Sequence, residues 1–108
     1  MNDASGIEKA PLGAFPVKSE LISFTQIVEF TGVHPSRLGE LIEFGFVSPS
    51  TTVEGALLFR SRDVYRLRKL ERLARDFDLP LHGVGIIVEL LERIEDLETK
   101  VRELERLR

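Results

Sequence analysis

The chain has 108 residues, which suits one domain with a modest core, and 31% of them are charged, with a formal net charge of −3. This acidic balance argues against a general nucleic-acid binder, and the absence of cysteine excludes a disulfide framework, a thiolate metal site and a cysteine nucleophile. No apolar run approaches the ~20 residues of a membrane span and no signal-peptide pattern is present, so we predict a soluble, cytoplasmic protein.

The first segment, residues 1–18, mixes glycine and proline with scattered apolar residues and follows no helical or strand period. Such a composition predicts a flexible N-terminal tail. Phe15 and Val17 near its end either pin the tail to the domain or offer a short anchor to a partner. We predict that residues 19–80 form the folded domain and that residues 81–108 form a C-terminal helix.

Two short helices joined by a tight turn follow a short extended lead-in. Thr25 is predicted to cap the first helix, and Thr31-Gly32 is predicted to end it. Pro35 suits the first turn of the second helix because its missing N–H has no helical partner there, and Gly45 ends that helix. Helix, glycine turn, helix is the helix-turn-helix pattern, in which the second helix normally enters the major groove of DNA.

The face that the second helix turns outward decides what it can bind. Its outward positions include Arg37, Glu40 and Glu43. Carboxylates can accept a hydrogen bond from cytosine, but they repel the phosphates that supply most of the affinity for DNA. The inward positions keep an apolar stripe at spacings of three and four. The residues predicted to face the core of this helix pair are Ile27, Val28, Phe30, Val33, Leu38, Leu41, Ile42 and Phe44.

A small wing and a longer helix complete the predicted domain. Val53 and residues 57–59 are predicted to pair as a hairpin after a polar, turn-rich stretch. The longer helix begins at Ser61 or Arg62 and stops at the sequence Asp78-Leu79-Pro80. Its cations are interspersed with acidic residues, which is typical of a solvated face rather than of a phosphate-binding one. Its predicted inward stripe is Val64, Leu67, Leu70, Leu73 or Ala74, and Phe77.

The last helix carries a heptad repeat that predicts dimerisation. With Ile87 at position a, β-branched residues occupy a and leucines occupy d, the combination that favours a two-stranded parallel coiled coil. Basic g positions and acidic e positions also pair with opposite sign in a parallel homodimer. The alternative is a long helix folded back on its own core. The heptad residues predicted to form the dimer contact are Ile87, Leu90, Ile94, Leu97, Val101 and Leu104.

The sequence offers little for catalysis. Its two histidines, His34 and His82, lie beside helix starts and lack a metal-ligand partner three or four positions away. There is no glycine-rich phosphate loop and no nucleophile-elbow motif. His34 before Pro35 is better explained as a cap or turn residue than as a base. We therefore predict no enzyme activity, no catalytic residue, no metal site and no cofactor.

Three motifs together resemble the N-terminal winged-helix domain of MerR-type regulators. They are Thr31-Gly32-Val33, then Gly45-Phe46-Val47 followed by Pro49, then Gly55 with Phe59, Asp63 and Val64. The resemblance implies a mainly α fold: a MerR-like winged helix-turn-helix with a small β wing and a long C-terminal dimerisation helix. The resemblance implies that the dimerisation helices of two copies run antiparallel, whereas the charges on the last helix favour a parallel pair. The orientation therefore stays open.

The positions that contact DNA in that family differ here. The family's arginine on the second helix corresponds to Gly39, the following aromatic residue to Glu40, and the tyrosine to Leu41. The wing arginine corresponds to Leu57. The matched positions belong to the core and the turns, while the phosphate-binding positions are changed, so we do not expect DNA binding.

A narrower resemblance is to the CbpM family of chaperone modulators, which are short MerR-fold proteins. It is carried by the junction from Asp78 to Ile86, with Gly83 and Gly85, and by the apolar helix that follows. This resemblance implies a protein that binds the J-domain of a CbpA/DnaJ-like co-chaperone and inhibits its stimulation of DnaK and its DNA binding. The other functions left open are a transcription regulator of the MerR or HspR kind and a structural adaptor.

The resemblance implies a J-domain partner, and J-domains share a basic helix that contacts DnaK. An acidic, partly apolar surface suits such a helix. A solvated acidic face without a partner is the alternative. The outward acids of the last helix, Glu92, Glu95 and Asp96, form a second candidate surface. The residues predicted to bind the partner are Glu29, Glu40, Glu43, Phe44 and Phe46.

Overall fold

A computed structural model of the chain describes residues 21–108. The predicted tail, residues 1–18 with Phe15 and Val17, lies outside the described residues. The described part is mostly helical, with a small antiparallel sheet and a long last helix, which confirms the predicted fold class. In chain order the elements are β1 (Ile22–Ser23), α1 (Phe24–Thr31), α2 (Pro35–Phe44), β2 (Ser50–Thr51), β3 (Leu57–Phe59), α3 (Ser61–Phe77) and α4 (Leu81–Arg106).

Helix α1 begins at a capping box. The Ser23 hydroxyl accepts a hydrogen bond from the backbone N–H of Gln26 at 3.1 Å, and the Gln26 side-chain oxygen accepts one from the Ser23 N–H at 2.9 Å. The prediction that Thr25 caps this helix is therefore wrong, because Thr25 lies inside the first turn and is exposed. The reciprocal pair satisfies two backbone donors that the start of a helix would otherwise leave without partners.

The connection between α1 and α2 confirms the predicted helix-turn-helix. Gly32 ends α1 with a φ of 75° and Gly45 ends α2 with a φ of 84°, a left-handed conformation that strains a residue with a Cβ. Val33, between the helices, is buried as predicted. His34 caps α2, since its Nδ1 accepts a hydrogen bond from the Ser36 N–H at 3.1 Å, and its prediction as a cap residue is confirmed.

A three-stranded sheet in the order β1-β3-β2 forms the wing and ties it to the start of α1. Strand β3 is antiparallel to both neighbours, with Ile22 opposite Phe59 and Thr51 opposite Leu57. The β2–β3 pair confirms the hairpin, but Val53 lies fully exposed in its turn and not in a strand. The pairing of β1 with β3 has no signal in the sequence, because a two-residue strand shows no period.

The core is formed by one face of each helix, packed together with strand β3. The Phe59 side chain is fully buried, and its ring centre lies 6.3 Å from that of Phe24. Phe77, predicted to face inward, is largely exposed because the last turn of α3, residues 75–77, projects beyond the core. The buried apolar residues are Ile22, Ile27, Val33, Leu38, Leu41, Phe46, Val47, Phe59, Val64, Leu67, Leu70, Val84 and Val88.

The first turns of α4 are part of the packed domain. The helix is continuous through Gly83 and Gly85. A Cβ added at Gly85 would lie 3.4 Å from the Phe46 ring, so glycine lets α4 approach the segment that follows α2. Val84 and Val88 add their side chains to the core. From residue 93 onward every residue of the chain is exposed, and the helix extends beyond the domain.

Arg66 joins α3, α4 and the segment after α2. Its guanidinium forms a two-point ion pair with the Glu92 carboxylate, with N–O distances of 2.6 and 3.2 Å, and donates to the Phe46 carbonyl. The guanidinium carbon also lies 4.2 Å from the centre of the Phe46 ring, in cation–π contact. One planar side chain thus satisfies a carboxylate, a backbone carbonyl and an aromatic face together.

Replacing Arg66 by lysine is expected to lower the free energy of unfolding by about 1–2 kcal/mol, although the charge is kept. The ammonium group lacks the planar fork that reaches both carboxylate oxygens and the Phe46 carbonyl, and it does not stack flat on the Phe46 ring, so a partly buried acceptor loses its donor. Urea denaturation followed by circular dichroism measures the change. Arg72→Lys, at an exposed position of the same helix, is the control and should change stability by less than about 0.5 kcal/mol. Equal losses in the two variants would contradict this role for Arg66.

Candidate partner-binding surface

The outward face of α2 carries negative charge without partners. Glu40 and Glu43 lie one turn apart on the helix, and both are exposed. Glu29 on α1 is also exposed. Within residues 21–108, none of these three carboxylates forms an ion pair. The helix pair therefore presents uncompensated negative charge where a DNA-reading domain needs positive charge.

Neither Arg37 nor Gly39 supplies a free cation on the α2 face that would meet phosphates. The Arg37 Nε donates to a Glu71 carboxylate oxygen at 3.0 Å, which joins α2 to α3. Gly39 is the position that the sequence resemblance matches to the MerR-type arginine. Outside the adjacent residues and the nearby backbone of its own helix, no atom lies within 4 Å of a Cβ built there, so the start of a side chain would not be crowded at this position.

The cations in the middle of α3 hold the helices together. Arg68 donates twice to the Phe30 carbonyl, at 2.7 and 2.9 Å, and so satisfies an acceptor near the C-terminal end of α1. Lys69 lies 3.8 Å from the Glu95 carboxylate, and Arg66 is engaged with Glu92. Arg66, Arg68 and Lys69 therefore stabilise the packing between helices. The cations of α3 that remain exposed are Arg62, Arg72 and Arg75.

The two phenylalanines predicted to complete the surface lie in different environments. Phe44 is 44% exposed, and its ring stacks on the His82 imidazole with 4.1 Å between ring centres and 15° between the planes. Phe46 is only 4% exposed, so its prediction as a partner-binding residue is wrong. The chain turns inward after α2 and packs the Phe46 ring against Gly85 and Arg66.

The contact of Phe44 with His82 brings the start of α4 beside the acidic face of α2. From the sequence, His82 was predicted only to lie beside a helix start, and neither Ile86 nor Glu89 was predicted to belong to the surface. Ile86 follows His82 by one turn and is half exposed, and Glu89 is exposed. A contact between residues so far apart in the chain leaves no periodic signal; the helical spacing of these three residues is the only pattern that could have pointed to it.

The heptad residues of α4 form an exposed apolar stripe. Val84, Gly85 and Val88 face the core, whereas Ile87 and Leu90 lie on another side of the helix. In the described part of the chain the helix is therefore not folded back on its own core, which corrects that alternative. The members of the stripe are 38% to 64% exposed and are Ile87, Leu90, Ile94, Leu97, Val101 and Leu104.

The side chains exposed on this surface are mainly carboxylates and apolar groups. Among residues 21–108, no group of histidine, aspartate and glutamate side chains is arranged to hold a metal ion. The helices of that same part of the chain include none that is long and apolar enough to cross a membrane.

Two helices around a glycine turn, a small β wing and a following helix define a winged helix-turn-helix protein. The family model for the MerR HTH family regulatory protein matches residues 22–106, and the chain belongs to that family. A Streptomyces coelicolor protein described as "Putative heat shock protein HspR" is 30% identical over 76 residues, which make up 70% of this chain. The chain spans about half of that relative, since the match covers 50% of it. Membership in a family of regulatory proteins agrees with a binding rather than a catalytic role.

Proposed function

We propose that the chain is a chaperone modulator that binds the J-domain of a CbpA/DnaJ-like co-chaperone and inhibits its co-chaperone and DNA-binding activities. The observation that carries this proposal is the outward face of α2. There Glu40 and Glu43 are exposed without ion pairs in the described chain. Gly39, which the sequence resemblance matches to the family's arginine, adds no positive charge. The scaffold of a recognition helix is kept, but its charge suits a cationic protein partner.

The basic helix through which J-domains meet DnaK is the proposed target. Negative charge on α2 speeds the encounter with such a helix, and the exposed part of Phe44 adds an apolar contact that slows dissociation. A modulator on the basic helix blocks its contact with DnaK. Because it also covers cations that would otherwise attract phosphates, one surface explains both inhibited activities.

Glu40→Lys with Glu43→Lys is expected to weaken binding to the co-chaperone at least roughly tenfold, because two attractive charges become repulsive. Isothermal titration of the full chain with the organism's own full-length CbpA-like co-chaperone measures the dissociation constant. A form of the co-chaperone without its J-domain should not bind at all.

The matched control for this variant is Glu54→Lys with Glu103→Lys, which changes the net charge equally at exposed positions in the wing turn and late in α4. The control should bind within about twofold of the unmodified chain. Equal weakening in the two double variants would mean that net charge, and not this face of α2, governs binding. If the unmodified chain binds none of the organism's J-domain proteins, the proposed function is rejected.

We also propose that the exposed heptad stripe of α4 pairs with a second copy of the chain. An apolar stripe of this length on a soluble helix is typical of a contact site, and β-branched residues at a with leucine at d suit a two-stranded coil. A dimer presents two acidic faces, and it allows one modulator pair to engage two co-chaperone chains.

A MerR/HspR-like DNA-binding regulator is the second candidate function. It is favoured by membership in a helix-turn-helix family of regulatory proteins and by the similarity to HspR. Arg60 and Arg62, exposed where the wing joins α3, are the cations that would serve it. A regulator would shift operator DNA specifically in a gel at moderate salt, and the shift would weaken steeply with added salt. The chaperone modulator would give no operator-specific shift under the same conditions.

A further inference from the structure

The C-terminal end of α2 contacts the first turns of α4, next to the acidic face of α2. We call the surface along this contact the seam; its residues are Glu40, Phe44, His82, Ile86 and Glu89. The Phe44 ring stacks on His82 across this seam, and both residues remain exposed. Ile86, one turn further along α4, has 49% of its surface exposed. Apolar surface left open beside a packed core is typical of a contact site.

The carboxylates at the two ends of the seam have no cationic partner. Glu40 lies one turn before Phe44 on α2, and Glu89 lies about one turn after Ile86 on α4. Both are exposed, and neither forms an ion pair within the described residues. Glu92 differs, because its carboxylate is held in an ion pair inside the domain. A row of acidic, aromatic, apolar and acidic side chains therefore crosses from one helix to the other.

The cleft along the seam is small, which limits how a partner can bind. Its lining includes the buried residues Leu41, Phe46 and Gly85 as well as the exposed Phe44 and Ile86, and its volume is about 30 Å³. That volume holds no more than about one water molecule. An apolar side chain of a partner would therefore lie across Phe44 and Ile86 instead of entering a deep pocket, and a helix can present one in this way.

We propose that this seam, made of Glu40, Phe44, His82, Ile86 and Glu89, binds a basic amphipathic helix of the partner, so that α4 completes the site that α2 begins. The inference rests on the proposed binding of a J-domain and specifies which helix features are recognised. The target helix carries an apolar residue with lysine or arginine about one turn away on each side. The apolar residue contacts Phe44 and Ile86, and the flanking cations meet Glu40 and Glu89.

Ile86→Ser with Glu89→Lys is expected to weaken binding to the full-length co-chaperone by roughly tenfold or more. The control is Val53→Ser with Glu103→Lys, which removes exposed apolar surface and makes the same charge change outside the seam. The control should bind within about twofold of the unmodified chain. Thermal melting tests whether both variants fold, sedimentation tests whether they keep the oligomeric state of the unmodified chain, and titration measures the dissociation constants.

Hydrogen–deuterium exchange on the unmodified chain provides a second measurement. Binding of the co-chaperone should slow exchange in residues 82–89 as well as in residues 39–44. If the Glu40 and Glu43 substitutions weaken binding while the Ile86 and Glu89 variant binds normally, and residues 82–89 gain no protection, the seam inference is overturned and the proposed function stands. If the unmodified chain does not bind the co-chaperone, both are overturned.

Discussion

Replacing Phe59 by alanine is expected to lower the free energy of unfolding by about 3–5 kcal/mol, a large share of the stability of a small domain. The Phe59 side chain is fully buried, and its ring lies beside that of Phe24 with 6.3 Å between centres. Its strand, β3, is the middle strand of the sheet and pairs on both edges. Because that pairing limits how far the backbone can move, the cavity left by the ring can collapse only in part.

Urea denaturation followed by circular dichroism measures this loss. Phe59→Leu keeps most of the apolar volume and should cost clearly less, so it gives a graded result even if the alanine variant is unfolded without denaturant. Val53→Ala, at a fully exposed position in the turn of the wing, is the control and should change stability by less than about 0.5 kcal/mol. A Phe59→Ala variant as stable as the control would contradict the central place of this ring in the core.

Ile94→Glu with Leu97→Glu is expected to convert the proposed dimer into a monomer, with the dissociation constant raised at least about 100-fold. Both residues are about half exposed in the single chain. In a coiled coil they would be buried, and a carboxylate without a partner is costly to bury there. The fold should be kept, because both positions lie beyond Val88, the last residue of α4 in the core.

Sedimentation at micromolar concentration distinguishes the two states. Glu103→Ala with Arg106→Ala changes outer heptad positions of the same helix and should leave the dimer intact. A monomeric unmodified chain would reject the dimer itself, whatever the variants do. The chain contains no cysteine, so Leu104→Cys, at a d position of the heptad, reports the orientation: a disulfide between copies forms readily in a parallel pair, where equivalent d positions face each other, and not in an antiparallel one.

Along the chain, the sequence by itself determined the helices, most of their ends and the class of fold. Gly32 and Gly45 end their helices because left-handed backbone suits few other residues, and Pro35 begins α2 where its missing N–H has no helical partner. The spacing of Val64 and Leu67 placed them in the core. These are local properties, and periodicity along one element is enough to predict them. That glycine stands at position 39, where the resemblance to MerR-type regulators implies an arginine, was visible only through that resemblance.

The sequence contains a local signal for the start of α1, but the cap was predicted at the wrong residue, Thr25. Ser23 and Gln26 have the spacing of a capping box, which is a more specific pattern than the lone Thr25 that was preferred. A two-residue strand, in contrast, carries no signal of its own. The pairing of Ile22 with Phe59 depends on a partner far along the chain.

Only the tertiary structure decided which apolar and charged side chains remain available. Phe46 turned inward against Gly85, while Phe44, two residues earlier, stayed on the surface against His82. Arg66, one of the cations of α3, forms an ion pair inside the domain. One face of α4 packs in the core, and its heptad stripe stays exposed. The physical reason is the same in each case: spacing along a helix defines its faces, but which neighbour covers each face depends on packing between elements distant in the sequence.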